Sequence, residues 1–342
     1  MDRLKYPECN DELIMELWLS QYHMPMLIAA LELDFFEILN GSPSDIEKLS
    51  LALNLDITAT QAMTTVFCGL KLIEIIDGKF TLTDISRVYL LKQSVYYWGD
   101  MIALFKETPP TFQHVLEALK GSNGEQTKNV EMVTDNWEDS SLMSKEWVVK
   151  FTKAMHSHSL MGAVMLAKKM ALLTGSRFLD VGGGSGCFSI ALAQQNPSVK
   201  FTIADLPLVC ETAKEYVKKY GLTAQVDTLN IDMFKSPLPK GYDTVFLSNI
   251  LHDWNEAQRN ELLSKIKQSL GRGKKIMIYE ALINNDYSGP LAAGLLTTKM
   301  MIWTKGKQFT GTELTKMLEG NGFSDVSIQP VHSCYFLITA SS

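Results

Sequence analysis

FLDVGGGSG, Phe178–Gly186, is the stretch on which the reading of this chain turns. A short apolar run enters Asp180 and Val181, the chain passes through four glycines and a serine, and an apolar helix is expected from Phe188. Glycine lets a backbone turn sharply and approach a ligand closely. Further strands are expected at Phe201–Ala204, Gln225–Leu229, Thr244–Leu247 and Lys275–Tyr279, with helices between most of them. Alternation of this kind predicts an α/β fold, a Rossmann-like domain with a mostly parallel sheet covered on both faces. A helix over Thr312–Asn321 and a strand over Ser333–Ala340 complete it. Open sheets of this type bind small molecules beyond the carboxyl ends of their strands.

Upstream, the pattern is mainly helical. Leu13–Leu39 carries apolar residues at helical spacing, with breaks near Pro25 and at Leu33–Asp34. Ser42–Leu53 reads as a helix opened by Ser42 with Pro43 at its first position, and Thr58–Leu70 as one capped by Thr58. Two short β-prone runs flank Asp77–Gly78–Lys79, the pattern of a hairpin. Helices followed by a hairpin form a winged-helix-like unit. Its rival uses are DNA binding and dimerisation, and few basic residues on the would-be recognition helix favour dimerisation. Gly121–Ser141 is polar and reads as a surface loop, and residues 147–173 as a long helix. The domains are therefore expected at 1–110 (helical, dimerising), 111–145 (linker and loop) and 146–342 (cofactor-binding).

Composition narrows the functional classes. The 342 residues carry 32 basic and 38 acidic side chains, a net charge of −6. Such a surface has no general attraction for nucleic acid. The five cysteines are widely spaced and include no CxxC, which fits free thiols in a reducing, cytoplasmic setting. No membrane span is expected, since no apolar run approaches about 20 residues.

FTIADLP ends the second strand in Asp205, about 20 residues past the glycine loop, where a carboxylate accepts both hydroxyls of a ribose. NAD and S-adenosylmethionine both contain ribose, so the loop and Asp205 leave both open. Two further motifs decide. NIDMF, Asn230–Phe234, follows the third strand, and HDW, His252–Trp254, follows the fourth. With the glycine loop, and over nearly the whole chain, they resemble the plant-type and bacterial small-molecule O-methyltransferases.

The resemblance implies S-adenosylmethionine as cofactor and S-adenosylhomocysteine as product. It implies that Gly182 and Gly184 approach the methionine part, that Asp205 holds the ribose, and that Asp232 and Met233 flank the adenine. In FTKAMHSHS it implies that Phe151, Met155 and Ser159 line the sulfonium end, where an aromatic face suits a cation. It makes His252 the general base and Glu280 the carboxylate that orients it. A phenol ordinarily titrates near about 10 and a histidine near about 6.5, so the pairing is chemically apt. Asp253 reads instead as a helix N-cap ahead of Trp254–Leu263.

The same resemblance puts Phe105, His158, Met300, Trp303 and Gln308 around a small aromatic or polyketide-like acceptor, and it implies a homodimer. Two positions depart from the family pattern. Gln308 stands in KGKQFT where many members carry a second carboxylate, and Ser248 where plant members carry a lysine. Gln308 keeps open C-methylation of an aromatic ring or aromatic amino acid, and the fold also hosts S-adenosylmethionine-binding enzymes that do not methylate. No metal is expected: His156, His158, His252 and His332 lack compact ligand spacing.

Overall fold

The structure is a computed structural model and describes residues 6–107, 109–121, 133–170 and 176–342. The chain divides into two compact units, Met1–Pro109 and Pro110–Ser342.

The first unit contains α1 (Glu12–Leu19), α2 (His23–Glu32), α3 (Phe35–Gly41), α4 (Ile46–Leu53), α5 (Ile57–Gly69), a hairpin of β1 (Ile73–Ile76) and β2 (Lys79–Leu82), α6 (Asp84–Tyr89) and α7 (Gly99–Glu107). Asp34 takes a left-handed conformation and separates α2 from α3 at the expected break. Pro25 lies in the first turn of α2, where its missing N–H costs nothing, and the break falls just before it. In the hairpin turn Asp77 and Gly78 both have positive φ, the geometry that matches strand twist. Phe35, Phe36 and Phe67 centre the core, with ring centroids 5.2–5.4 Å apart.

Two caps differ from expectation. α4 begins at Ile46, where Asp45 accepts the Lys48 N–H at 2.9 Å, while Ser44 pairs with Phe80 of the hairpin. α5 is capped by Asp56, two residues before Thr58, through the Ala59 N–H at 2.8 Å. In both places an aspartate adds charge complementarity to the helix dipole, which a hydroxyl lacks. α1 buries none of its residues: Leu13, Ile14, Leu17 and Trp18 are each 61–67% exposed.

The second unit opens with α8 (Phe112–Lys120) and α9 (Val133–Glu138), both inside the stretch expected as linker, and with α10 (Lys145–Lys169). Residues 122–132 of the expected loop, and Leu173 at the expected end of the long helix, lie outside the described residues. Apart from β8 and β9 the rest alternates as predicted: β3 (Arg177–Val181), α11 (Cys187–Gln195), β4 (Lys200–Asp205), α12 (Pro207–Lys219), β5 (Val226–Asn230), β6 (Thr244–Ser248), α13 (Glu256–Ser269), β7 (Lys275–Ile283), α14 (Leu291–Trp303), β8 (Phe309–Thr310), α15 (Gly311–Gly320), β9 (Ser324–His332) and β10 (Tyr335–Ser341).

Strand order is β5-β4-β3-β6-β7-β10-β9, with β8 beside β7. Pairing is parallel from β5 to β7 and antiparallel for β10 and β9. β9 was not anticipated. It is an edge strand with mostly exposed side chains and a proline at 330, so it lacks the apolar run that marks a central strand. Strand order reverses between β3 and β6, which opens a crevice at their carboxyl ends. Among the described residues no helix is long and apolar enough to cross a membrane.

Candidate active site

Parallel register brings the candidate residues to one edge of the sheet. Val181 pairs with Ala204, Asp205 with Asn230 and Ser248 with Tyr279, so the turns after β3, β4, β5 and β6 emerge side by side. Gly182, Gly184 and Gly186 have φ of 69°, 58° and 75°, a region open to glycine and strained for other residues. A Cβ on Gly184 would meet nothing within 4 Å, so this part of the loop faces open space.

Asp205 anchors the loop by accepting the Gly184 N–H at 2.9 Å and the Leu206 N–H at 2.7 Å. Burial raises its pKa to about 6 against these two bonds. Each carboxylate oxygen keeps a second lone pair, so Asp205 can still receive donors from a ligand. Asp180, beneath the loop, is wholly buried, bonded to Ser189 Oγ at 2.7 Å, and pushed up to about 7 by desolvation. Asp180 Oδ1 and Asn249 Oδ1, after β6, are buried acceptors without a protein partner. Open loop, free lone pairs and orphaned acceptors fit a cofactor rich in hydroxyl and amine donors, as S-adenosylmethionine is.

Asp232 turns the chain after β5, accepting from the N–H groups of Phe234 (3.0 Å) and Lys235 (3.2 Å), with Lys235 Nζ at 3.1 Å. Burial opposes ionisation there, but these bonds outweigh it and hold the carboxyl below its ordinary value. Met233 is half-buried against the core, and Ser248 ends β6 half-buried.

His252 sits in a 3-10 turn, Leu251–Asp253, after β6. Glu280, wholly buried in β7, faces it: Oε2 lies 2.6 Å from His252 Nδ1, and Oε1 accepts the N–H groups of Leu251 (3.0 Å) and His252 (3.4 Å). A lone carboxylate in a buried strand would be costly, and these partners compensate it. They also make Nδ1 the protonated nitrogen in the neutral ring, leaving Nε2 as the base. Burial alone would lower the His252 pKa, but Glu280 and Asp253 outweigh it, so the ring titrates above its ordinary 6.5.

Asp253 is not the helix cap. Asn255 caps α13, and Asp253 is 7% exposed with Oδ1 3.5 Å from His252 Nε2. Desolvation raises its pKa to about 6 despite the attraction of His252. A carboxylate therefore does flank His252 on its second side, supplied from the adjacent residue and not from the Gln308 position. Gln308 itself is 1% exposed just before β8, and its Oε1 lacks a partner.

Phe151 on α10 stacks on Trp147 at 5.0 Å and meets Trp137 edge-on at 5.7 Å; Trp137 reaches Trp254 and Trp254 reaches Phe234. This aromatic row runs from α10 to the turn after β5. Trp137 escaped the sequence reading because it lies in the polar stretch taken as loop. Met155 and Ser159 are half-buried on the same helix.

The histidines diverge. His156 Nδ1 contacts Ser185 Oγ at 2.8 Å and stacks on Tyr216, with its pKa lowered to about 4 by burial. His158 Nε2 lies 3.3 Å from Tyr335 Oη, its pKa also lowered to about 4 by burial and by Lys299. Among the described residues no group of three or more His, Cys, Asp or Glu is arranged to hold a metal.

α14 supplies Met300, which is buried, and Trp303, which meets His114 edge-on at 5.9 Å. Phe105 belongs to the first unit, half-buried on α7. α14 also carries Lys299, which the sequence reading passed over. The signal was present: it is the one charged residue in LAAGLLTTKMMIW.

Residues 117–324 match the model of the O-methyltransferase domain family. The chain is 33% identical over 322 residues to 3-hydroxy-5-methyl-1-naphthoate 3-O-methyltransferase of Streptomyces sahachiroi, covering 94% of this chain and 90% of that one. The crystal structure of human N-acetylserotonin methyltransferase in complex with SAM superposes with a TM-score of 0.83 at 25% identity, over 98% of this chain and 99% of the other. L-tyrosine C(3)-methyltransferase of Streptomyces lavendulae is 26% identical over 79% of this chain and 74% of its own.

Proposed function

The chain belongs to the O-methyltransferase family and depends on S-adenosylmethionine, and from that premise we propose that it methylates a hydroxyl on a flat, fused-ring aromatic acid or polyketide-like molecule, with His252 as general base. The 2.6 Å contact between His252 Nδ1 and Glu280 carries this reading. S-adenosylmethionine supplies a methyl group on a positively charged sulfur. What the protein must add is alignment, exclusion of water and removal of the acceptor's proton. Nε2 of His252 takes that proton, and Glu280 and Asp253 stabilise the resulting imidazolium from its two sides. Asp253 thereby provides the negative charge that Gln308 lacks, which favours oxygen over carbon as the methylated atom.

Cofactor contacts fall to the strand-end residues. Gly182 and Gly184 admit the methionine part, Asp205 receives the ribose hydroxyls, and Asp232 and Met233 border the adenine. Phe151, Met155, Ser159 and Ser248 close the sulfonium end. His158, Met300, Trp303 and Gln308 border the acceptor; thioethers adapt well to aromatic rings. The bare apolar side chains of α1 support a homodimer, to be tested by sedimentation, and the free cysteines support a cytoplasmic setting.

The acceptor experiment is direct. The protein is incubated with methyl-labelled cofactor and 3-hydroxy-1-naphthoate, and the product is read by NMR. A label on oxygen supports the reading. A label on ring carbon, or none, overturns it.

A further inference from the structure

We propose that His156 is a positioning residue for the cofactor: through Ser185 it ties the glycine loop to α10, and so sets the gap that takes the methionine part of S-adenosylmethionine. The inference rests on the reading that this loop and α10 border that part.

Gly182, Gly183, Gly184, Ser185 and Gly186 make the turn after β3, and Ser185 alone among them has a side chain by which another element can hold the turn. That side chain is used internally. Ser185 is 3% exposed, and its Oγ lies 2.8 Å from Nδ1 of His156, itself 7% exposed. From the β4 side the turn is held by backbone, the Gly184 N–H donating to the Asp205 carboxylate at 2.9 Å. The turn is also seated closely on its neighbours. A Cβ on Gly186 would sit 2.3 Å from Ile203 Cδ1, and one on Gly182 2.5 Å from Ile250 Cδ1. Ser185 is therefore where α10 and the loop are joined by a polar bond between side chains.

The imidazole is itself fixed. It stacks on Tyr216 of α12, with ring centroids 4.0 Å apart and planes at 22°. α12 begins at Pro207, two residues past Asp205. One ring thus connects α10, the loop after β3 and the helix after β4. Burial lowers its pKa to about 4, so the ring is neutral and needs no counter-charge. A buried hydrogen bond of this kind is directional, and leaving either partner unsatisfied is costly. His156 directly follows Met155, and Phe151 and Ser159 lie on the same helix. Fixing His156 to Ser185 therefore fixes the separation of those side chains from the loop. Sites that grip a ligand from two sides depend on such supporting bonds to hold their spacing.

The test is a double-variant cycle. The full chain is titrated calorimetrically with S-adenosylhomocysteine, and thermal unfolding is followed alongside. His156→Phe keeps an aromatic ring on Tyr216 and removes Nδ1; Ser185→Ala removes the hydroxyl. Each should weaken S-adenosylhomocysteine by about ten-fold. Together they should weaken it no more than either alone, as for one shared bond. His156→Asn, whose amide falls near the Nδ1 position, should stay within about three-fold of the native affinity. A bond that serves stability alone would lower Tm in the single variants and leave affinity at the native value, and that result overturns the proposal. Additive losses overturn it too, as does an asparagine variant as weak as the phenylalanine one. If His156→Phe does not fold, His156→Gln, whose amide falls at the Nε2 position, takes its place in the cycle. Asp205→Ala separates this proposal from the reading beneath it. Native affinity in Asp205→Ala as well strikes the loop reading, and the proposal with it; weakened binding in Asp205→Ala alone strikes only the role of His156.

Discussion

The glycine loop after β3 and the His252 turn after β6 lie at neighbouring strand ends but are made differently. The loop is made of backbone: positive φ at three glycines, the Gly184 N–H tied to Asp205, and open space where a Cβ on Gly184 would stand. The turn is made of buried side chains whose charges compensate one another across separate elements. A loop of the first kind binds by leaving room. A pocket of the second kind reacts because its ionisations are coupled, and it tolerates few changes. The contrast predicts that binding and turnover can be damaged independently.

The sharpest break is His252→Ala. Turnover should fall by about 10²–10⁴, while affinity for S-adenosylhomocysteine stays within about two-fold. A parallel loss of affinity would mean that the two regions are one. Asp205→Ala should do the reverse, weakening the cofactor by about ten- to a hundred-fold, as expected for lost hydrogen bonds to a charged group. Titration calorimetry reads it, and unchanged cofactor affinity would remove Asp205 from the site.

A smaller effect tests how tightly the His252 turn is packed. Gly306→Ala drives a Cβ into the His252 carbonyl oxygen, a backbone atom that cannot swing aside. A drop in kcat of about ten-fold is expected, with cofactor affinity retained; native kcat would show the turn to be more pliable than the loop.

The mildest test uses pH. His252 must be neutral to accept a proton, and its pKa is raised above 6.5. The value of kcat/KM should therefore fall as pH drops through a point above 6.5. Glu280→Gln removes a group that raises that pKa, leaves burial with greater weight, and should move the limb to lower pH. A limb that stays in place would detach Glu280 from the titration.

Much of the fold was legible because it is encoded locally. The break at Asp34, the Asp77–Gly78 turn and the run from apolar strand to glycine loop each follow from a few adjacent residues. Misreadings occurred where two local solutions compete. Ser42 and Thr58 are reasonable caps, but Asp45 and Asp56 lie nearer the true helix starts and carry charge. β9 was missed because an exposed edge strand has no apolar signature, and α9 because its polar surroundings resemble a loop.

The sequence by itself determined the α/β alternation, the glycine loop with its ribose-side acid, and the family through HDW and NIDMF. Those are short-range features, fixed by backbone preference and spacing. The family resemblance named Glu280 as the carboxylate that orients His252, and only the tertiary structure decided the geometry, the β6–β7 register bringing the two to 2.6 Å across 28 residues. It also decided that Asp253 is buried beside the ring instead of capping a helix. Desolvation and long-range pairing belong to the packed chain, and no window of neighbouring residues contains them.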